Sequence, residues 1–270
     1  MDIEQLKQQA QDETTAPETL AKLAKSEDRE IRQYVAGNPN TPVEVLEQLV
    51  KEFPNKIVEN PIFDLLLLEN HHSKLFLYRA IARNTKTTSE VLSILAKDSD
   101  GRVREAVASN RNTSSELLSV LAKDSDRRIR VTIAQNPNTS REILSILAED
   151  SDYGVRGFVA LNSNTLLKTL FILAEDSDFI VRGYIAQNPN TPPEILSNLA
   201  NDSNYDGVRY EVARNPNTSQ EILSNLANDS CYEVRTAVAK NPNTSREILS
   251  ILANDSDCRI RRYVQNLIIW

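Results

Sequence analysis

Glycine is the first shortage, with six in 270 residues. Folds built on tight β-turns, or on a glycine-rich loop that cradles phosphate, need more of it, and no such loop is present. Aromatic residues make up only 6%, and the alternation of β-branched with polar residues that marks half-buried strands is hard to find. Two cysteines, Cys231 and Cys258, are too few for a disulfide framework in a chain of this size and are expected as free thiols. Histidine is confined to His71-His72, so a Ser/His/Asp or Cys/His set would have to be built there, many residues from either cysteine. No cysteine or third histidine accompanies that pair, which reads as a solvated turn; no metal, cofactor or catalytic residue is expected. Cationic excess is also missing: 31 Lys and Arg against 38 Asp and Glu leave a net charge of −7. That argues against a surface for nucleic acid or for an anionic membrane. No apolar run reaches the ~18–20 residues of a spanning helix, and the opening MDIEQLKQQAQ lacks a cationic segment followed by an apolar one. A cytoplasmic location is expected.

What the chain has in abundance is one line written over and over. Positions 136–152 read NPNTSREILSILAEDSD and positions 241–257 read NPNTSREILSILANDSD. The Asn that opens this line recurs as Asn38, Asn84, Asn110, Asn136, Asn162, Asn188, Asn215 and Asn241. From Asn84 onward the steps are 26, 26, 26, 26, 27 and 26 residues. Asp12 stands 26 residues before Asn38 and begins a related DETTAPETLAKLA. The 46-residue gap between Asn38 and Asn84 hides a shortened copy at Asn60-Pro61. A fixed period of this length signals a stack of supersecondary units, none of which buries its apolar face alone.

One copy reads as helix, turn, helix, turn. Thr139 with Glu142 has the spacing of a capping box, repeated as Thr41/Glu44, Thr113/Glu116, Thr191/Glu194, Thr218/Glu221 and Thr244/Glu247. Pro42 and Pro192 fall where a first helical residue is expected. REILSILAED then places Ile143, Leu144, Leu147 and Ala148 on one face. DSD starts a second, shorter helix, RRIRVTIAQ, with Asp or Ser as cap, and Asn136 before Pro137 ends it. The expected fold class is all-α: a solenoid of ~26-residue two-helix repeats over 1–270, with a shortened repeat near 51–83 and a truncated half-repeat at 258–270. LLLL at 65–68 reads as a buried helix.

The motif LAxDSDxxVRxxVAxNPNTxxEIL resembles the leucine-rich repeat variant family, whose wider relatives are HEAT-type repeats. The resemblance covers nearly the whole chain. It implies a right-handed superhelix in which a longer helix alternates with a short α or 3₁₀ segment. Members of that family also carry an amino-terminal cysteine cluster holding an iron–sulfur centre; both cysteines here lie near the other end, so no cluster is carried over.

Two columns recur with nearly every copy. The Arg of VR appears as Arg32, Arg104, Arg130, Arg156, Arg182, Arg209, Arg235 and Arg261, and Asp98, Asp124, Asp150 and Asp176 recur with it. HEAT-like DNA-binding and repair proteins offer one reading, a ladder for backbone phosphates. The other pairs each Arg with an Asp four or six residues earlier, such as Asp126 or Asp124 for Arg130. The regularity favours a structural ladder, because a binding site differs from copy to copy. The Asn column is expected to close backbone groups at helix ends.

Departures from the pattern are therefore the functional signal. The copy at 152–187 loses its Thr/Glu pair and carries Tyr153, Gly157, Phe158, Leu161, Phe179, Gly183 and Tyr184 where others hold Arg, Gln, Ser or Thr. Aromatics beside small residues suit a docking groove; core thickening is the alternative, since Tyr34 and Tyr263 share a column with Phe158 and Tyr184. The expected function is a non-catalytic scaffold that binds a protein or peptide along the face of the VR helices. Alternatives are a nucleic-acid binder using the Arg column and, from resemblance alone, a HEAT-like lyase or chaperone for a tetrapyrrole-bearing protein. At the end of the chain Leu267, Ile268, Ile269 and Trp270 either seal the last repeat or offer a route to self-association.

Overall fold

The repeated line folds into pairs of α-helices, and polar residues join neighbouring copies within each of two blocks. The computed structural model describes residues 2–68 and 75–268. Among these there are 21 α-helices and no strand. The contacts divide the chain into two blocks, Met1–Thr132 and Ile133–Trp270. The first block holds α1 (Ile3–Gln11), α2 (Pro17–Leu23), α3 (Arg29–Gly37), α4 (Val43–Leu49), α5 (Pro54–Val58) and α6 (Pro61–Leu68). It continues with α7 (Leu75–Arg83), α8 (Ser89–Leu95), α9 (Gly101–Ser109), α10 (Ser115–Leu121) and the start of α11 (Arg127–Gln135). The second block holds α12 (Arg141–Leu147), α13 (Tyr153–Leu161), α14 (Leu167–Ala174), α15 (Phe179–Gln187) and α16 (Pro193–Leu199). It ends with α17 (Asp206–Arg214), α18 (Gln220–Leu226), α19 (Tyr232–Lys240), α20 (Arg246–Leu252) and α21 (Cys258–Ile268). None of the described helices is long and apolar enough to cross a membrane.

The helix lengths reverse the expectation. The VR helices α9, α13, α15, α17 and α19 are the longer ones at nine residues, and all are α. The helices after NPNT, such as α12, run only seven residues. Their start explains the loss. The cap is Ser140, not Thr139: Ser140 Oγ accepts from the Ile143 N–H at 3.4 Å, and Ser114, Ser219 and Ser245 do the same in their copies. Glu142 then sits one position too early to complete a capping box. Pro42 and Pro192 likewise occupy the cap position, not the first helical one.

Thr139 is used elsewhere. Its hydroxyl donates to the Ile133 carbonyl at 2.6 Å, closing the end of the preceding VR helix, and the same six-residue bond recurs from Thr15 to Thr244. The Asn column does what was expected of it, on a neighbouring copy. Asn188 Nδ2 donates to the Ala160 carbonyl at 2.6 Å and to that of Asn162 at 3.4 Å, one repeat back, while its Oδ1 accepts the Asn190 N–H at 2.8 Å. Asn38, Asn60, Asn110, Asn162, Asn215 and Asn241 make the same pair of donations. The Ala carbonyl of each pair is one of the last acceptors of its helix, for which the side chain supplies a donor where stacking excludes water, while the other carbonyl also accepts the N–H three residues on, as Asn162 does from Thr165 at 3.0 Å. Proline is not required for the stop. Asn110 precedes Arg111 and Asn162 precedes Ser163, and both have the same extended backbone as Asn188.

The shortened repeat keeps the Asn bracket, with Asn60 on the Ala36 and Asn38 carbonyls, but changes its core. Phe63 stands in the Thr column and Tyr78 in the Arg column, and their rings meet edge to face at 6.2 Å. LLLL is helical at the end of α6, yet Leu65 is exposed, which corrects the expectation of a buried run. His71 and His72 lie outside the described residues.

Candidate functional site

The Arg column comes first, because its geometry decides whether it is available to a ligand. The guanidiniums of Arg32, Arg104, Arg156, Arg182, Arg209 and Arg235 each span two repeats. Arg156 Nη1 donates to the Asp150 and Ser151 carbonyls at 2.8 and 3.2 Å, while Nε and Nη2 grip both carboxylate oxygens of Asp176, 20 residues later, at 2.6 and 2.9 Å. The same fork joins Arg104 to Asp124, Arg209 to Asp229 and Arg235 to Asp255; Arg182 reaches Asp202 through Nε, and Arg32 uses Glu52. The carboxylate is therefore that of the following copy, not of the Asp four or six residues earlier. The earlier Asp offers its backbone carbonyl, as Asp124 does to Arg130 and Asp255 to Arg261. Asp98 accepts the Asp100 N–H and gives its carbonyl to Arg104. The Arg104 fork holds the Asp124 carboxyl below the usual range. At Asp176, Asp202 and Asp229 burial pushes the other way and is outweighed by the Arg and by backbone N–H donors. Planar two-point pairing of this kind is what Arg, and not Lys, provides.

The departing copy lies wholly in the second block. Tyr153 opens α13 and is 45% exposed; Phe179 opens α15 and is 40% exposed. Phe158 and Tyr184, both half-buried, stack at 6.0 Å. Gly157 is buried beneath that contact, and a Cβ there would come within 2.8 Å of Tyr184 Cδ2. Leu161 closes α13, half-buried. Gly183 occupies the same column as Gly157 one repeat on, but Glu211 follows it instead of an aromatic, and nothing lies within 4 Å of a Cβ built there. Gly183→Ala should therefore stabilise the chain by about 0.5–1 kcal/mol through helix propensity, read as a higher urea midpoint. At Gly157 the same change must displace the Tyr184 ring, and the gain should shrink or vanish.

The aromatic face extends further than the sequence reading reached. Tyr205, 46% exposed, lies 4.2 Å from the Phe179 ring and folds over Gly207. Its signal was the single 27-residue step, since the extra residue of that copy falls in this loop. Beyond it three tyrosines carry cations, Tyr210 half-buried and the others exposed: Arg214 over Tyr210 at 5.5 Å, Arg259 over Tyr232 at 4.3 Å and Lys240 over Tyr263 at 5.9 Å. Tyr232, Thr236, Lys240, Arg259 and Tyr263 line a cavity of about 280 Å³ between α19 and α21. A second feature was also passed over: α14, whose exposed apolar side chains are Leu167, Phe171 and Ile172. Its signal was the loss of the Thr/Glu pair at Leu166-Leu167-Lys168, continued at two further positions.

Both cysteines are free. Leu267 is exposed; Ile269 and Trp270 lie outside the described residues. No group of three His, Cys, Asp or Glu that could hold a metal ion occurs among the described residues.

The model of the leucine rich repeat variant family matches residues 29–51 and 232–257, one copy in each block. A solved leucine-rich repeat variant, described as having a novel repetitive structural motif, superposes with a TM-score of 0.59 at 25% identity, over 90% of this chain and 87% of that one. In these two copies and in its helical-repeat fold the chain is similar to the leucine-rich repeat variant family. An engineered protein of known structure aligns over 98% of this chain and 94% of its own at 17% identity, with a TM-score of 0.38. No curated protein matches the sequence. The polar columns lie between neighbouring copies within each block, and the individuality of the chain lies in the side chains those columns leave exposed.

Proposed function

We propose that this chain is a non-catalytic scaffold that binds a protein or peptide along the VR-helix face of its second block. The observation that carries the reading is the run of rings from Tyr153 through Phe158, Tyr184 and Phe179 to Tyr205, of which Tyr153, Phe179 and Tyr205 are exposed and Phe158 and Tyr184 half-buried. Tyrosine and phenylalanine held by neighbouring rings lose little side-chain freedom on contact and are frequent interface anchors. The cation-capped tyrosines from α17 to α21 favour a partner that offers an apolar side chain towards α13–α15 and a carboxylate towards Arg214, Lys240 and Arg259. The alternative of phosphate binding by the Arg column fares worse, because those forks are already filled by the carboxylates of the next copy.

The test is capture from a lysate of the source cells by the immobilised chain, with and without nuclease, comparing the wild type with Tyr153→Ala/Phe158→Ala/Tyr184→Ala. The expected result is a protein retained by the wild type, indifferent to nuclease and lost with the variant, whose circular dichroism remains helical. Capture that survives the three substitutions and disappears with nuclease would transfer the function to the Arg column.

A further inference from the structure

The outer surface of α14 is unlike that of its neighbours. On an eight-residue helix, positions 167, 168, 171, 172 and 175 share one face at steps of three and four, and all five are exposed. Three of them are large and apolar: Leu167 at 53%, Phe171 at 37% and Ile172 at 56% exposure, with Leu166 at 38% beside them at the cap. The equivalent positions of α16 are Pro193, Ser197 and Asn198. Those of α12 are Arg141, Ser145 and Ile146. An apolar surface left at this degree of exposure calls for a cover.

The charges at the ends of that face say what covers it. Lys168 stands in the first turn of α14, where α12 and α16 carry Glu142 and Glu194, and Glu175 caps the other end. Both are the wrong sign for the dipole of an isolated helix. They suit a second α14 running the opposite way, on which Lys168 meets Glu175 of the other copy twice over and Phe171 meets Ile172. The attraction is confined to α14: in the same register Ile146 of α12 meets Ser145 of the other copy, and Glu142 faces Glu149. A parallel pairing would instead set Lys168 on Lys168 and Glu175 on Glu175. We infer that α14, flanked by α12, is a self-complementary surface through which two copies of this chain pair in antiparallel fashion, with an isologous two-fold axis. The pairing is independent of the partner reading above, since it uses the NPNT helices and leaves the VR-helix rings free. A handful of side chains on α14 covers less than the roughly 800 Å² per partner of a standard interface, so α12 and α16 must contribute and the dimer belongs to the weak class.

Sedimentation equilibrium across the micromolar range tests this with four chains. The wild type should rise from 30.4 kDa towards twice that mass with concentration. Phe171→Ser/Ile172→Asn, which gives α14 the residues α16 already carries, should weaken association by at least about tenfold with the urea midpoint unchanged. Lys168→Glu should weaken it too, by opposing two acids. Lys168→Glu/Glu175→Lys should restore it, because each reversed charge again meets its opposite across the axis. A wild type that stays monomeric throughout, a dimer indifferent to the Ser/Asn variant, or a charge swap that fails to restore association would each overturn the proposal. A foreign occupant of the patch would show as the first of these.

Discussion

Replacing Asn188 by alanine should cost the second block about 2–4 kcal/mol, a large share of the stability of many domains. Asn188 is fully buried and holds three backbone groups: the Ala160 and Asn162 carbonyls and the Asn190 N–H. Alanine leaves the Ala160 carbonyl without a partner and the exposed Asn190 N–H to solvent, while the Asn162 carbonyl keeps the Thr165 N–H at 3.0 Å; a group that stays unsatisfied costs about 1–3 kcal/mol, and the lost packing adds to it. Asn188→Asp separates bonding from packing. It keeps the acceptor for Asn190, removes both donors, and sets a carboxylate against two carbonyls, so it should be at least as damaging as alanine despite its shape. Urea unfolding followed by circular dichroism measures both. A loss below about 1 kcal/mol for either would mean that the carbonyls find other partners and that the Asn column is not a bracket.

Removing Arg182 should cost about as much for a different reason. Its side chain is 10% exposed, the least of the arginines in these forks, and that of Asp202 is 6% exposed. In Arg182→Met the aliphatic stem is replaced, but Asp202 keeps only the N–H groups of Asn204 and Tyr205, and the Asp176 and Ser177 carbonyls lose their donor. Breaking one side of a buried pair costs about 3–5 kcal/mol. Arg182→Lys should recover less than half, since an ammonium cannot meet the next copy's carboxylate and two carbonyls of its own copy together. The pH dependence follows from burial pushing Asp202 up and Arg182 with the two N–H groups bringing it below its ordinary value. In the wild type the carboxylate stabilises the fold above the ordinary carboxylate range and ceases to do so as pH falls through its lowered value. Without Arg182 burial prevails, the orphaned carboxyl accepts a proton, and the gap between variant and wild type should narrow on acidification.

The repeat, its period and its helical content were legible because a 26-residue spacing survives in spite of substitutions around it. The regularity of the Arg, Asn and Thr columns was legible too. Their partners were not. Asp176 is 20 residues from Arg156 along the chain, and only the stacking of copies brings the two together; nearness in sequence pointed to Asp150 and Asp152. The caps were misplaced by one residue for a related reason. Thr139 followed by Glu142 has the right spacing for a reciprocal cap, but its hydroxyl is claimed by the Ile133 carbonyl, a demand that arises only once the preceding helix has formed. At the candidate site, Tyr153, Phe158, Phe179 and Tyr184 stood out because aromatics are scarce here. Leu167, Phe171 and Ile172 did not, because apolar residues on a helix read as core until the opposite face is seen to be filled by Leu170 and Leu173.

The account rests on the repeated polar residues binding one copy to the next, which leaves the departures from the pattern to bind anything else. The most direct test is a double-mutant cycle on Arg182→Met and Asp202→Asn, the asparagine keeping an acceptor for the Asn204 and Tyr205 N–H groups. Unfolding free energies of the four chains should show a coupling on the order of 1–3 kcal/mol, the double variant being far less damaged than the sum of the singles. Additivity to within about 0.5 kcal/mol would contradict it, and would return the Arg column to the list of surfaces free to meet a ligand.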